Sequence, residues 1–159
     1  MDAALKEQIA RPLGLIPSGC FVLTASDSGH SQGILASWVQ QAGFEPPAVS
    51  VAVKHNRPIR SLIDRSRHFV LNLIGQDTTE MFKHFGKGFE TDQPAFEGVK
   101  TRNEPGGVVL EDCIAHLSCR VTGKVDTGDH TIYVATVIDG GLHGEGQPNV
   151  RIRTSGFNY

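Results

Sequence analysis

Short apolar runs separated by glycine-rich turns recur along the chain, and this pattern predicts β-strands. Residues 20–25 and 32–37 lie on either side of Asp27-Ser28-Gly29-His30, a turn sequence, and predict a hairpin. Residues 48–54 alternate strictly, with three valines on one face and small side chains on the other. The small face leaves room for a flat ligand or for close contact with another element. Three further strands are predicted, at residues 68–74, 113–126 and 131–138.

Helical patterns are fewer and shorter. Three helices are predicted, at residues 2–10, 58–65 and 78–85. They rest on local signals: Asp2 as an N-cap, Pro58 in a first turn, and a capping-box spacing at residues 77–80 with Gly86 as the C′ residue. Residues 86–108 are predicted to form a loop.

At least six strands with two or three short helices do not fit a doubly wound parallel sheet. The sequence predicts a mainly β fold, a closed antiparallel or Greek-key barrel with short helices at its edges, formed by one domain over residues 1–159. The strand at 131–138 is apolar on both faces, which implies burial on both sides. A second subunit can supply one of these partner surfaces.

Composition narrows the classes of partner and the compartment. A net charge of −2, with 20% charged residues, gives no basic surface of the kind that binds nucleic acid. No apolar run approaches the roughly 18 residues of a membrane-spanning helix, and residues 1–11 lack the apolar segment of a signal peptide. The three cysteines are odd in number and widely spaced, which indicates buried, reduced thiols. We therefore expect a cytoplasmic protein that binds neither membrane nor nucleic acid.

Motifs of side-chain catalysis are missing from the sequence. It contains no Gly-x-Gly-x-x-Gly after a strand, no phosphate-binding loop and no nucleophile elbow. The seven histidines have no metal-site spacing, and each cysteine lies in an apolar strand where a thiolate is disfavoured. The chain is therefore either a binding module or an enzyme whose chemistry belongs to a cofactor, with no metal expected.

Four segments carry residues suited to a flat, phosphorylated ligand with polar edges. Residues 36–41 hold the only tryptophan beside hydroxyl and amide groups. Residues 54–58 place cations before a helix N-terminus, as a phosphate requires. Residues 84–88 combine glycines with a lysine, and residues 128–130 place a histidine in a turn. Each also has an ordinary explanation: a core tryptophan, a solvated basic turn, a helix C-cap or a plain turn.

Longer stretches resemble a known family. The similarity is carried, in order, by residues 13–25, 33–39, 45–53, 69–73, 128–130 and the tail 153–159. These stretches resemble the flavin-reductase-like, FMN-binding split-barrel family. The likeness is greatest to the flavin-reductase module of cyanobacterial-type diflavin flavodiiron proteins and to flavoredoxin, and it extends from Leu13 to Tyr159.

The resemblance implies a Greek-key split β-barrel that binds FMN and works as a homodimer. The cofactor-binding residues that it implies are Ala36, Ser37, Trp38, Val39, Gln40 and Gln41 along the ring, His55, Asn56 and Arg57 at the phosphate, and Phe85, Lys87, His130 and Tyr159 near the cofactor. His130 is also the candidate catalytic residue. Asn56 and Arg57 stand where the family often has Ser and Thr.

Three functions remain open at this point. The predicted one is an NAD(P)H-dependent flavin reductase, which passes electrons from NADH or NADPH through FMN to free flavin or to a partner redox centre, including di-iron or flavodoxin modules on a longer chain. The second is an FMN-binding electron carrier that does not react with nicotinamide nucleotides. The third is a barrel without a cofactor that serves as an interaction module. NADH and NADPH fit the sequence equally well.

Overall fold

The computed structural model describes residues 1–158, apart from the side chain of Thr79, and it is mainly β. Within these residues the elements are, in chain order, α1 (Ala3–Gly14), β1 (Ser18–Gly19), β2 (Phe21–Asp27), β3 (His30–Ala36), β4 (Val39–Phe44), β5 (Pro47–Lys54), α2 (Ile59–Ser66), β6 (His68–Leu73), α3 (Thr79–Gly86), β7 (Thr101–Glu104), β8 (Gly107–Leu110), β9 (Ala115–Asp126), β10 (His130–Leu142) and β11 (Val150–Arg151). None of these helices combines the length and apolar character that crossing a membrane requires.

The central sheet has seven antiparallel strands in the order β3-β2-β6-β9-β10-β5-β4. Strands β3 and β4 lie at its two edges, yet they follow one another in the chain and are joined only by Ser37 and Trp38. Three Cα–Cα steps span at most about 11 Å, so the sheet has to curl until its edges meet. The predicted split barrel is confirmed, and Trp38 stands where the two edges approach.

The barrel interior contains the larger apolar cluster. Val49, Val51 and Val53 of β5 point inward, as their alternation predicts, and pack with Tyr133 of β10 and three buried side chains of α2. A second apolar cluster lies outside the barrel, where α3 and β8 cover the sheet. The outward face of β10 is only half-buried in the single chain, and Ile138 is 48% exposed. The predicted burial of β10 on both faces is therefore not reached within one chain.

The prediction of a loop at residues 86–108 was wrong in part. Within that range residues 101–104 form β7, and residues 107 and 108 begin β8, its antiparallel partner. Pro105 and Gly106 form the turn of this hairpin, and Gly106 has a φ of 82°, which suits the third position of a type II turn. Asn72 of β6 is fully buried and anchors the hairpin. Its side chain donates to the carbonyl of Val108 and accepts from the amide of Leu110.

Several predicted boundaries also change. Residues 39–44 form β4, for which the sequence predicted no strand, because an edge strand with exposed side chains lacks the alternation of a buried one. Helix α1 continues beyond residue 10 to Gly14, although its predicted cap is confirmed: the Asp2 carboxylate accepts from the Ala4 amide at 3.4 Å.

The predicted capping box of α3 is absent, because no side-chain hydrogen bond caps the helix at Thr78. The left-handed residue after α3 is Gly88, with a φ of 75°, and not Gly86, which lies in the helix. The last two strands are shifted relative to the prediction: β9 begins at residue 115 and β10 extends to residue 142.

Candidate functional site

Two adjoining cavities lie against the C-terminal tail, defined here as residues 150–158; β5 and β10 line the first cavity, and β3 and β5 line the second. Their volumes are about 630 Å³ for the first cavity and about 590 Å³ for the second. Both fall in the range of small-molecule and cofactor sites. The residues that line both cavities are Ser18, Ser37, Trp38, Ala52, Lys54, Arg153 and Asn158.

The first cavity has a flat, mainly apolar wall built by the outer faces of β5 and β10. The alternation that points the β5 valines into the core points Ser50 and Ala52 into this cavity. Ile132 of β10 is in register with Ala52 and continues the wall. Leu13 and Phe157 add further apolar surface to the lining. A planar ring is the shape of ligand that such a wall accepts.

Trp38 stands at the boundary of the two cavities and is half-buried. Its ring centroid is 4.8 Å from that of His130, with the two planes tilted by 41°. The guanidinium carbon of Arg153 lies 5.2 Å from the Trp38 ring centroid, within cation–π range. The indole therefore contacts an imidazole and a guanidinium at the point that the two cavities share.

His130 begins β10 and is buried, with its ring lining the first cavity. Its Nδ1 is 2.8 Å from Oδ1 of Asp129, and this hydrogen bond is the main reason why the pKa of the Asp129 carboxyl is lowered. An ionised carboxylate only accepts, so Nδ1 donates the proton. The turn that precedes β10 is also held by the backbone, because the His55 amide donates to the Asp129 carbonyl at 2.9 Å. The ring orientation is thus set before any ligand binds.

The second cavity is cationic. Lys54, Arg57, Arg151 and Arg153 line it, and its lining residues within the described chain include no Asp or Glu. Ser18 adds a polar atom, because its Oγ is buried without a hydrogen-bond partner among residues 1–158. Cations with hydroxyl and backbone donors are the groups that bind phosphate oxygens.

The structure brings together seven of the residues that the resemblance implied. Those that line a cavity are Ala36, Ser37, Trp38, Val39, Gln40, Arg57 and His130. Five others do not line either cavity: Gln41, His55, Asn56, Phe85 and Lys87. Tyr159 lies outside the described residues.

Each of the five excluded residues has a different environment. Gln41 is exposed on β4 and donates to the Gly43 carbonyl at 3.4 Å. The His55 ring faces Asp126, with Nε2 3.3 Å from the carboxylate. Phe85 is buried in the second apolar cluster, and Asn56 and Lys87 are exposed.

Sequence reasoning missed Arg153 and Ser18 as cavity residues. Both lie in short segments, at β1 and after β11, that cross the cavities without periodicity. No local signal distinguishes a lone arginine in a polar tail from a solvated one. Their role depends on the long-range pairing of β1 with β11.

Burial keeps the thiols of the three cysteines, all within residues 1–158, in the protonated form. Burial raises the pKa of Cys119 to about 12 and that of Cys113 to about 11, so both thiols stay protonated near neutral pH. All three cysteines are buried and free, as expected. Over residues 1–158, no group of three or more His, Cys, Asp or Glu side chains is placed to hold a metal ion.

The structure is thus a β-barrel with a mainly apolar cavity and a cationic cavity beside it. The model of the flavin reductase like domain matches residues 13–155, and the chain belongs to this family. The chain is 37% identical over 139 residues to a putative diflavin flavoprotein A 3 of Nostoc sp. (strain PCC 7120), covering 86% of this chain and 24% of that protein. The chain thus spans about a quarter of the length of the curated relatives it matches.

Solved structures share the fold. The NADH:FAD oxidoreductase SgcE6 of Streptomyces globisporus C-1027 superposes with a TM-score of 0.84 at 22% identity, covering 94% of this chain and 90% of that one. The flavin reductase HpaC, solved with NADP⁺, has a TM-score of 0.77 at 25% identity, covering 96% and 95% of the two chains. A flavin-related oxidoreductase role follows from the family match.

Proposed function

We propose that this domain is an FMN-dependent oxidoreductase of the NAD(P)H:flavin reductase type. It passes electrons from NADH or NADPH through FMN to free flavin or to a partner redox centre, on the same polypeptide or on another. The observation that carries this proposal is the meeting of an apolar, flat-walled cavity and a cationic cavity at Trp38. That combination matches a molecule with a planar ring at one end and a phosphate at the other.

The residues present fit FMN. Ser50 and Ala52 leave space for a ring against β5, and Trp38 borders it. Arg57 and Lys54 supply charge for a phosphate, and the unpaired Ser18 Oγ offers a hydrogen bond to a polar edge. Gln40 and Ser37 add amide and hydroxyl groups at the first cavity.

Bound flavin would supply the redox chemistry, accepting a hydride from reduced nicotinamide. The protein's work is to bind and orient. The hydrogen bond between Asp129 and His130 holds the imidazole at the wall of the first cavity, beside Trp38. Because His130 lines the first cavity, we assign it the role of orienting the edge of a cofactor or substrate ring that would bind there.

Relatives support the choice of electron donor. A second SgcE6 structure holds NAD and FAD fragments, and the HpaC structure holds NADP⁺. We extend a nicotinamide donor to this chain on that basis, with FMN as the flavin. We also propose that the domain is cytoplasmic and homodimeric, with the half-buried outer face of β10 at the subunit contact.

The first test is an absorption spectrum of the purified protein before and after FMN is added and the excess removed. We expect the visible bands of oxidised flavin to persist. The single tryptophan gives a second readout, because FMN bound beside Trp38 will quench its fluorescence in a saturable titration. If neither signal is seen, and the protein also fails to accelerate reduction of free FMN by NADH or NADPH, the proposal is wrong.

The second test separates a reductase from an electron carrier. The FMN-loaded protein is mixed with NADH, and separately with NADPH, in the absence of oxygen. Bleaching of the flavin band within seconds supports the reductase. A flavin band that stays oxidised with both nucleotides would leave a flavin-binding electron carrier.

A further inference from the structure

The C-terminal tail is tied to helix α1. The Arg153 amide donates to the Gly14 carbonyl at 3.0 Å, and the Gly156 amide donates to the Ala10 carbonyl at 2.7 Å. Residues of both segments line the first cavity, including Leu13 and Phe157. Helix and tail therefore form one side of the site together. We call this pair, residues 3–14 and 150–158, the cap.

Two glycines allow helix and tail to touch. A Cβ on Gly14 would lie 2.7 Å from the Arg153 carbonyl oxygen, and a Cβ on Gly156 would collide with Cβ of Leu13. Real Cβ atoms do not approach backbone this closely, so any larger residue at either position forces the two segments apart. The contact joins segments that are 140 residues apart in the sequence.

One side chain links the parts of the cap. The Arg153 guanidinium donates to the carbonyls of Leu13 at 3.4 Å, Gly156 at 3.3 Å and Asn158 at 3.2 Å. The same guanidinium lies 5.2 Å from the Trp38 ring centroid, at the junction of the two cavities. Arg153 thus joins the helix, the tail and the barrel.

Few residues of the cap are buried, so apolar contacts contribute little to keeping it in place. Gly14 is the one buried residue of α1, and none of residues 150–158 is buried. Val150 and Ile152 are 61% and 62% exposed. Segments held by a few hydrogen bonds over little buried surface open at low free energy. One Arg153 hydrogen bond, to the Leu13 carbonyl, crosses from the tail to the helix, and the Arg153 guanidinium also contacts Trp38 of the barrel. The tail is otherwise joined to its neighbours by the two backbone bonds to α1 and by the pairing of β11 with β1.

We propose that the tail swings away from α1 and Trp38 to open the two cavities, and that Arg153, which contacts both, is the clip that sets how fast bound flavin leaves. This proposal rests on the proposed function, because it concerns the same site. While the Arg153 contacts are formed, flavin stays bound through successive turnovers. An open clip lets flavin exchange as a substrate.

The test compares three variants with the wild-type protein. Arg153→Lys keeps the charge but replaces a planar donor fork with a single ammonium that cannot reach three carbonyls. Gly156→Ala leaves the arginine intact and pushes the tail from Leu13. Arg120→Gln, on the exposed side of β9 and outside both cavities, is the control for losing an arginine.

Two quantities are measured on each protein. Hydrogen exchange of the 150–158 peptide reports opening of the cap, and stopped-flow recovery of Trp38 fluorescence on dilution reports FMN release. We expect Arg153→Lys and Gly156→Ala to speed both by about five- to tenfold, the effect of losing one or two hydrogen bonds. Arg120→Gln should change neither.

Three outcomes would overturn the proposal. Faster exchange of the tail with unchanged FMN release means that the cap does not gate the site. Wild-type exchange in Arg153→Lys, with faster exchange only in an added Arg153→Gln variant, means that charge and not the clip matters. Faster FMN release in both variants without faster exchange means that the ligand contact was lost directly. Failure of the proposed function is distinguishable, since the wild-type protein would then not bind FMN in the preceding titration.

Discussion

Trp38 is the residue on which the site depends most, because it borders both cavities and contacts both His130 and Arg153. Its position follows from the chain path, since it belongs to the two-residue link between the barrel edges. A tryptophan at that junction presents a large apolar area to a ligand, although its side chain has only two rotatable bonds. The indole should therefore contribute binding energy beyond that of a generic wall residue.

Replacing Trp38 tests this contribution. Trp38→Ala should weaken FMN binding by about tenfold or more, since losing a ring contact and its buried area costs about 1.5–3 kcal/mol. Trp38→Phe keeps an aromatic ring and should stay within about threefold of the wild-type affinity. Flavin fluorescence gives both affinities. Equal affinity for Trp38→Ala and the wild-type protein would remove Trp38 from the ring site.

Asp129 is expected to act through His130. Asp129→Asn removes the ionised acceptor at 2.8 Å from Nδ1, so the imidazole loses its fixed orientation. We expect slower reduction of bound flavin by NADH, with FMN affinity unchanged. His130→Gln should have the same effect. The double variant should be no slower than either single variant, because each change removes the same oriented imidazole. Additive losses in single-turnover rates would show that the two residues act separately.

At this scale the sequence reveals part of the site. Trp38 and His130 stand out because a lone tryptophan beside polar groups and a histidine in a turn are visible locally. Arg153 and Ser18 reach the cavities only through the pairing of chain ends that lie more than 100 residues apart. Phe85 shows the opposite error. The resemblance placed it near the cofactor, but its side chain is buried in the second apolar cluster.

Among the elements, the β7–β8 hairpin shows how one polar side chain can hold a covering segment on the barrel. Asn72 is fully buried on β6 and bonds to the carbonyls of Val22 and Val108 and to the amide of Leu110. Thr24 adds a second anchor, donating to the Val108 carbonyl at 2.6 Å. The hairpin thus depends on partners from two strands that are distant in the chain.

Removing the Asn72 anchor should cost stability. Asn72→Ala leaves three backbone groups without this partner, and we expect the free energy of unfolding to fall by about 2–4 kcal/mol. Asn103→Ala, on the exposed side of β7, is the matched control and should stay within about 0.5 kcal/mol of the wild-type protein. Urea unfolding measures both. Similar midpoints for the two variants would contradict this account of the anchor.

Elements whose periodicity reflects burial are the ones that the sequence predicts well. Strand β5 alternates because one face is in the core, so its bounds and facing were visible in advance. Strands β4 and β7 have mostly exposed or half-buried side chains, and the pattern that marks a strand is missing from them. Their existence is decided by neighbouring strands, which local sequence does not contain.

Two histidine rings, His116 and His143, meet where β9 begins and β10 ends, at the end of these strands away from Trp38. His116 is buried, and its ring lies beside that of His143, with the centroids 4.8 Å apart, the planes 20° from parallel and Nδ1 2.7 Å from Nε2 of His143. Burial, followed by repulsion from His143 and Arg102, lowers the pKa of His116, while Glu104 and Asp139 act in the opposite direction. The folded protein therefore favours the neutral ring.

This pair gives the stability of the fold a defined pH dependence. A histidine whose folded pKa is depressed binds its proton more readily in the unfolded chain, so acid favours unfolding. Its stabilising effect is complete above the unfolded pKa of about 6.5 and is lost as the pH falls from there toward the folded pKa. His116→Gln should flatten the fall of the urea midpoint between about pH 7 and pH 5. His30→Gln, on an exposed histidine, is the control and should keep the wild-type slope. An unchanged slope in His116→Gln would show that other groups, such as the ion-paired carboxylates, account for the acid sensitivity of the barrel.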